Sequence, residues 1–357
     1  MRRDTEHAVR RVLAVVLLAV CATNATLRAE PETPQQAETE QASPIRFWIV
    51  SCRKCPLQGK QVSKGTSFEY LSCHETGDVE WGDQESFHKS LIPNAPVCVV
   101  VHGSFVNWNG VAIDGMRTWK WLRSVAPKRP LNVVVFSWRS AGPFTIVTRN
   151  LVFSAVPQVD VGILGQRSGF AGLYLGRLIT DLPVKHPVSL VGHSHGARTI
   201  GSALHLMAGG QVQGFVLADR PTKPRRIRAV LAAAALDHHW LNPSEVYGRA
   251  LDSTESLLNL RNERDTVLQI YQLRHPLSKS SLATTGFTTQ DRAAMGKRAE
   301  RVDEIDVSQV VGTGHIWQHY SGYNELAKAI AGYVYFDAKS RGAATSVEGT
   351  RLRTIRR

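Results

Sequence analysis

One short stretch constrains the fold more than any other, because it joins an apolar strand pattern, a tight turn and a helical pattern. The mostly apolar residues 188–191 run directly into a Gly-His-Ser-His-Gly motif at residues 192–196, and the residues that follow can form a helix. In a sharp strand-to-helix turn of this kind the serine backbone is strained, and a side chain at either glycine would collide with neighbouring backbone. The pattern therefore predicts that Ser194 is presented as a nucleophile at the end of a strand.

Short apolar segments alternate with helical patterns through the middle of the chain. The predicted strands are residues 47–51, 97–101, 133–136, 188–191, 228–236, 257–260 and 302–311, and apolar residues recur at helical spacing over 171–182 and 326–334. This alternation is typical of parallel strands joined by crossover helices, so the predicted fold class is α/β, with a mostly parallel central sheet flanked by helices. The apolar stretch 144–164 is predicted to form either a lid or wall of the substrate site or an extra core helix.

A second turn, about 90 residues before the serine motif, is a candidate oxyanion hole. Apolar residues 97–101 are followed by His102-Gly103-Ser104-Phe105. A tetrahedral intermediate carries negative charge on the former carbonyl oxygen, which needs two fixed N–H donors. We expect the amide of His195 to supply one donor and the amide of Ser104 or Phe105 to supply the other. The side chains of His193 and His195 are expected to point away from the serine hydroxyl.

A serine hydroxyl needs an imidazole to take its proton and a carboxylate to orient that imidazole. Both partners are expected later in the chain, in the order serine, acid, histidine. His315, in a glycine-bearing loop after the last predicted strand, is the preferred base, with His319 as the alternative. Asp265, after the penultimate strand, is the preferred acid, and Asp237, at the end of an alanine-rich strand, is the alternative.

The two ends of the chain differ from the middle in composition. Arginines precede an apolar run at residues 12–22, which predicts a secretory signal peptide over 1–29, with a membrane anchor or lipidation at Cys21 as alternatives. Residues 30–44 are predicted to be a flexible linker, 45–338 the folded domain, and 339–357 a basic disordered tail. The predicted location is therefore exported, either periplasmic or extracellular.

The net charge of +13 does not by itself indicate a nucleic-acid partner, because most of it lies at the ends. Residues 1–29 carry +3 and residues 339–357 carry +5, which leaves +5 for the long middle. No basic stripe is evident there, so we expect no nucleic-acid binding. A peripheral contact with a membrane is left open, and the sequence does not give the oligomeric state.

Four cysteines follow the predicted signal peptide. Cys98 lies inside an apolar strand and is expected to be a buried thiol. An oxidising compartment would favour a disulfide from Cys73 to Cys52 or Cys55. The Cys52-Arg-Lys-Cys55 spacing is also found in redox and metal sites, but a second ligand pair and a thioredoxin-like context are missing from the sequence. We therefore expect no metal and no cofactor.

On these motifs the sequence resembles the α/β-hydrolase superfamily and is similar to its secreted bacterial lipase-like and esterase-like members. The resemblance covers roughly residues 47–336 and includes segments 99–103, 136–138, 192–196, 262–265 and 314–315. It implies a Ser-His-Asp acyl-enzyme mechanism without a cofactor. His195 departs from the smaller or apolar residues common in relatives, and the Cys52 to Cys73 region has no recognised counterpart.

The predicted function is therefore hydrolysis of a carboxylic ester, of a small molecule or a lipid, by Ser194, Asp265 and His315. Two other functions stay open at this point. The same fold can pass the acyl group to an alcohol instead of water, and a catalytically silent member can serve as a binding protein of the cell envelope. A redox protein built on Cys52 and Cys55 is disfavoured, and it would be recognised by a thiol that alkylates in the folded state.

Overall fold

The computed structural model describes residues 45–56, 68–147, 152–218, 225–274, 278–337 and 353–354. Ten of the described strands form one sheet, in the order β12-β11-β10-β9-β8-β4-β5-β1-β2-β3. They are β1 (Ile45–Ser51), β2 (Glu69–His74), β3 (Val79–Gly82), β4 (Val97–Val101), β5 (Asn132–Ser137), β8 (Val188–His193), β9 (Ile227–Ala232), β10 (Ser256–Arg261), β11 (Val302–Asp306) and β12 (Arg353–Thr354). The two antiparallel pairings are β1 with β2 and β2 with β3, and every other neighbouring pair is parallel.

Helices connect the strands and flank the sheet. They are α1 (Gln84–Ser90), α2 (Trp108–Ser124), α3 (Pro157–Asp181), α4 (His195–Met207), α5 (Thr266–Gln269), α6 (Leu282–Thr285), α7 (Thr289–Met295), α8 (Ser308–Val311), α9 (Gln318–Ser321) and α10 (Asn324–Val334). Helix α3 packs along α4, and α2 packs against α10. The predicted α/β architecture, a mostly parallel central sheet flanked by helices, is confirmed.

The middle of the sheet is buried on both faces, which is why its strands are nearly continuous apolar runs. Every residue of β4, β5 and β8 is buried. Strand β8 lies between β4 and β9, with Gly192 opposite Val101 and His193 opposite Ala232. Residue 194 therefore leaves the sheet at the centre of its carboxyl edge, which is where open α/β sheets place their ligand sites.

Two predicted strands are too long. Residues 302–311 form β11 only as far as Asp306, and Ser308–Val311 form helix α8. The apolar residues Val307, Val310 and Val311 follow helical spacing, so they pack one face of a short helix. Likewise residues 228–236 leave the strand after Ala232, because Ala233 has a φ of 46°, which ends the extended conformation.

The predicted disulfides of Cys73 are wrong. In the β1–β2 pairing, Cys73 lies opposite Phe47, whereas Cys52 and Cys55 follow Ser51 at the other end of β1. At about 3.3 Å per residue, Cys73 is roughly 15 Å along the strands from Cys52, well beyond the span of a disulfide. Cys52, Cys73 and Cys98 are buried free thiols, Cys98 as predicted, and Cys55 is buried as well.

The apolar stretch 144–164 combines a hairpin with the first turns of a helix. Strands β6 (Thr145–Val147) and β7 (Val152–Ser154) pair with each other outside the main sheet, and α3 begins at Pro157. The hairpin was not predicted, and the helical part matches the extra core helix. Side chains at its start, including Phe144 and Ile146, are exposed.

The chain ends are described only in part. The predicted signal peptide, 1–29, and the linker, 30–44, lie outside the described residues, as does most of the predicted tail. Within the range of that tail, Arg353 and Thr354 pair in parallel with Ile305 and Asp306. No helix within the described part of the chain is long and apolar enough to cross a membrane.

Candidate active site

Ser194 lies on a strained turn between β8 and α4. Its φ of 53° and ψ of −123° fall in a region that non-glycine residues rarely adopt. The Ser194 N–H donates to the Ala232 carbonyl at 3.0 Å, and the Ser194 carbonyl accepts from Ala197 and Ala235. These backbone bonds hold the strained residue, with its side chain at the carboxyl edge of the sheet.

The glycines on either side of this turn allow main chains to approach closely. A Cβ at Gly196 would lie 2.1 Å from the Val101 carbonyl oxygen, and a Cβ at Gly192 would lie 2.8 Å from the Ala197 nitrogen. Both distances are far below van der Waals contact with rigid backbone. The prediction that the motif needs glycine at both positions is therefore confirmed.

His315 and Asp265 meet Ser194 in one hydrogen-bonded chain. His315 Nε2 lies 3.1 Å from Ser194 Oγ, and His315 Nδ1 lies 2.8 Å from Asp265 Oδ2. With the proton on Nδ1, the imidazole donates to the carboxylate and Nε2 is an acceptor for the serine hydroxyl. The structure thus brings together the three residues that were singled out from three distant parts of the sequence.

Asp265 is held rigidly at the start of helix α5. Its side chain is fully buried, and Oδ1 accepts from the N–H groups of Val267 and Leu268 at 3.1 and 3.0 Å. These bonds leave Oδ2 to face His315. An aspartate at a helix N-cap with two backbone donors is a well-oriented carboxylate, whose charge the helix N-terminus also favours.

His193 holds the backbone of the loop that carries His315, a contact that sequence analysis missed. Its Nε2 lies 2.6 Å from the His315 carbonyl oxygen, to which an Nε2–H donates. Asn262 adds a second anchor, because its side-chain amide donates to the Gly312 carbonyl at 3.0 Å. The only signal for His193 in the sequence is a polar residue at the end of an otherwise apolar strand.

The turn after β4 has fewer backbone N–H groups available as oxyanion donors than the sequence predicted. The Phe105 N–H donates to the Ser140 carbonyl at 2.8 Å, so this amide is already used and the prediction of Phe105 as a donor is wrong. His195 opens α4, where an N–H has no intrahelical acceptor. Ser104 and His195 contact each other through Ser104 Oγ and His195 Nδ1 at 2.6 Å. The remaining candidates for the two donors are the amides of Ser104 and His195.

The alternative acid, Asp237, and the alternative base, His319, lie outside the hydrogen-bonded chain of Ser194, His315 and Asp265. Asp237 is buried and accepts from the Tyr271 hydroxyl at 3.1 Å and the Lys279 N–H at 2.9 Å. His319 packs against Gly314, where a Cβ would lie 1.8 Å from its Nδ1. Within the described residues, neither side chain is hydrogen-bonded to Ser194 or His315. The same part of the chain contains no group of three or more His, Cys, Asp or Glu side chains that could hold a metal ion.

Two buried histidines beside the site predict a loss of stability in acid. Burial lowers the pKa of both His102 and His193 to about 3, from a reference value of 6.5. His102 donates from Nδ1 to the Gly103 carbonyl and accepts at Nε2 from the Trp138 N–H, so it must be neutral to make both bonds. Between pH 6.5 and about 3 the unfolded chain binds protons that the native protein does not.

The free energy of unfolding should therefore be fully retained above about pH 6.5 and fall as the pH drops towards 3. At pH 5 we expect a loss of roughly 1–2 kcal/mol per histidine. Urea unfolding at several pH values measures this slope, and a His102→Gln variant should show a shallower one. An identical slope in the variant would contradict the assignment of a neutral His102.

Comparison with known proteins gives little beyond this geometry. No family model matches the sequence, and no curated protein matches it. Among solved structures the chain is similar to acyl-protein thioesterase 2 of Zea mays, with 16% sequence identity and a TM-score of 0.36. That alignment covers 68% of this chain and 96% of the Zea mays chain. A likeness this distant indicates neither a reaction nor a substrate for this protein.

Proposed function

We propose that this protein is an exported serine hydrolase that cleaves carboxylic esters through an acyl-enzyme on Ser194. The observation that carries the proposal is the hydrogen-bonded chain from Ser194 through His315 to Asp265, at a strained strand-to-helix turn. A buried carboxylate, an oriented imidazole and a serine hydroxyl in this order are the parts that acyl transfer needs. Strain at Ser194 supports the same conclusion, because strained backbone is concentrated at functional sites.

In the first half of the reaction Ser194 Oγ attacks the ester carbonyl while His315 Nε2 takes the hydroxyl proton. Asp265 Oδ2 accepts from Nδ1–H, which keeps the acceptor nitrogen towards the serine and stabilises the imidazolium that forms. The amides of Ser104 and His195 stabilise the negative oxygen of the tetrahedral intermediate. When this intermediate collapses, His315 gives the proton to the leaving alcohol and the acyl group stays on Ser194.

In the second half, water replaces the alcohol. His315 takes a proton from the attacking water. When the second tetrahedral intermediate collapses, His315 returns that proton to Ser194 Oγ, which restores the serine hydroxyl and releases the carboxylic acid. His193 and Asn262 contribute by fixing the loop around His315, because each holds a backbone carbonyl of that loop.

Labelling with a small fluorophosphonate tests the proposal. The full chain is incubated with the probe, and peptide mass spectrometry locates the adduct. We expect a single adduct on Ser194, and none in a Ser194→Ala variant whose circular dichroism matches that of the wild type. A folded wild-type protein that stays unlabelled, or that is labelled elsewhere, would support a silent binding protein and overturn the hydrolase proposal. Esters of increasing acyl length then define the substrate.

A further inference from the structure

One side-chain hydrogen bond connects the two residues whose amides form the proposed oxyanion hole. Ser104 follows β4 and His195 opens α4, and the Ser104 Oγ to His195 Nδ1 distance of 2.6 Å joins the two segments across 91 residues of sequence. The imidazole of His195 is buried, with 5% of its surface exposed. This contact differs from the proposed role of the His195 amide, because it involves the side chain.

The backbone of the turn that carries Ser104 is strained, so it is expected to shift unless another contact holds it in place. Phe105 has a φ of 62°, which is unfavourable for an aromatic residue. The Phe105 N–H already donates to the Ser140 carbonyl. In this turn, the amide of Ser104 therefore remains as the second oxyanion donor. An oxyanion donor must sit about 2.7–3.1 Å from the oxygen it stabilises, and a shift of a few tenths of an ångström at Ser104 weakens that bond.

The imidazole of His195 is itself well positioned to hold the turn. Gly165 of α3 lies against it, and a Cβ at that glycine would be 3.8 Å from His195 Nε2 and 2.8 Å from Arg198 Nη1. The His195 carbonyl accepts from Thr199 Oγ1 at 3.1 Å, within the same helix. A ring confined by packing and attached to the first turn of α4 provides a fixed point for Ser104.

We infer that His195 is a positioning residue, whose imidazole holds Ser104 so that the amides of both residues converge on the oxyanion. The inference rests on the proposed function, since an oxyanion hole matters only if Ser194 forms tetrahedral intermediates. It accounts for a large polar side chain beside the nucleophile, buried against Ser104.

Three variants at position 195 separate positioning from general packing. His195→Ala removes the bond, His195→Asn places an amide near the Nδ1 position, and His195→Gln places it near the Nε2 position instead. We expect His195→Ala to lower kcat by roughly 10- to 100-fold, less than the 10²–10³-fold typical of losing a donor outright, with KM changed by less than about threefold. His195→Asn should recover most of that loss, and His195→Gln should not.

Ser104→Ala provides the second half of the test. If the two side chains act only through their mutual bond, Ser104→Ala should lower kcat as much as His195→Ala does, and the double variant should lose no more than either single one. Melting temperatures are measured for all variants, because a purely structural contact would lower stability in each without a selective effect on kcat.

The outcomes distinguish this inference from the function on which it rests. A wild-type protein that takes no fluorophosphonate label at Ser194 overturns the proposed function. A wild-type protein that is labelled, together with a His195→Ala variant of unchanged kcat, overturns the positioning role alone. Equal losses in the Asn and Gln variants, or fully additive losses in the double variant, also overturn it. Recovery by Asn alone, with KM preserved, supports it.

Discussion

Replacement of His315 by alanine is expected to lower kcat by about 10⁶-fold, the scale seen when the base of a serine triad is removed. Its Nε2 lies 3.1 Å from Ser194 Oγ, and no other described side chain is hydrogen-bonded to that oxygen. Without the imidazole, the hydroxyl must lose its proton to water, so attack becomes rare. Steady-state hydrolysis of an activated ester and the rate of fluorophosphonate labelling should both fall.

His319→Ala is the matched control, because it removes a second imidazole from helix α9, just after the loop that carries His315. His319 packs against Gly314, and burial lowers its pKa, but within the described residues it makes no bond to Ser194. We expect this variant to keep kcat within about tenfold of the wild type, the loss reflecting disturbed packing of the loop. If His319→Ala were instead the more severe variant, His319 would be the base and the assignment of His315 would be wrong.

The parts of the candidate site that could be predicted are those set by a contiguous sequence motif or by the order of the catalytic residues along the chain. The strand, the two glycines and the serine are contiguous, so their pattern predicts the turn at Ser194 without any tertiary information. His315 and Asp265 could be selected because the fold fixes the order of the partners and because each follows a predicted strand. The structure brings these three side chains within hydrogen-bonding distance.

Features that depend on contacts between distant segments could not be predicted in this way. The engagement of the Phe105 amide by Ser140, and of the His315 carbonyl by His193, requires the relative positions of separate loops. The disulfides of Cys73 failed for a similar reason, since the β1–β2 register places that cysteine at the far end of the hairpin. The closeness of the cysteines in the sequence does not predict the register of the β1–β2 pairing.

Strand ends were predicted less well than strand positions. Apolar residues continue past Asp306 and past Ala232, so composition alone extends both strands. At the first site Val307, Val310 and Val311 follow helical spacing, and at the second the backbone adopts a positive φ at Ala233. The second change matters for the site, because Ala232 at the end of β9 and Ala235 just after it hold the backbone of Ser194.

Asp265→Asn should lower kcat by about 10⁴-fold while leaving the shape of the site intact. Oδ1 accepts from the amides of Val267 and Leu268, so the asparagine oxygen should take that place. Its NH₂ group would then face His315 Nδ1 and require Nδ1 to act as an acceptor. The imidazole proton would move to Nε2, which could no longer accept the proton of Ser194.

Asp237→Asn distinguishes the two candidate acids, since it makes the same carboxylate-to-amide change at the alternative residue. Asp237 accepts from Tyr271 and from the Lys279 N–H, which are structural partners, so its replacement should lower the melting temperature more than kcat. Hydrolysis rates and thermal unfolding are compared for both variants. A loss of about 10⁴-fold in Asp237→Asn, with Asp265→Asn still active, would transfer the role of the acid to Asp237. The opposite result would establish Asp265 as the carboxylate that selects the tautomer of His315, and with it the direction of proton transfer from Ser194.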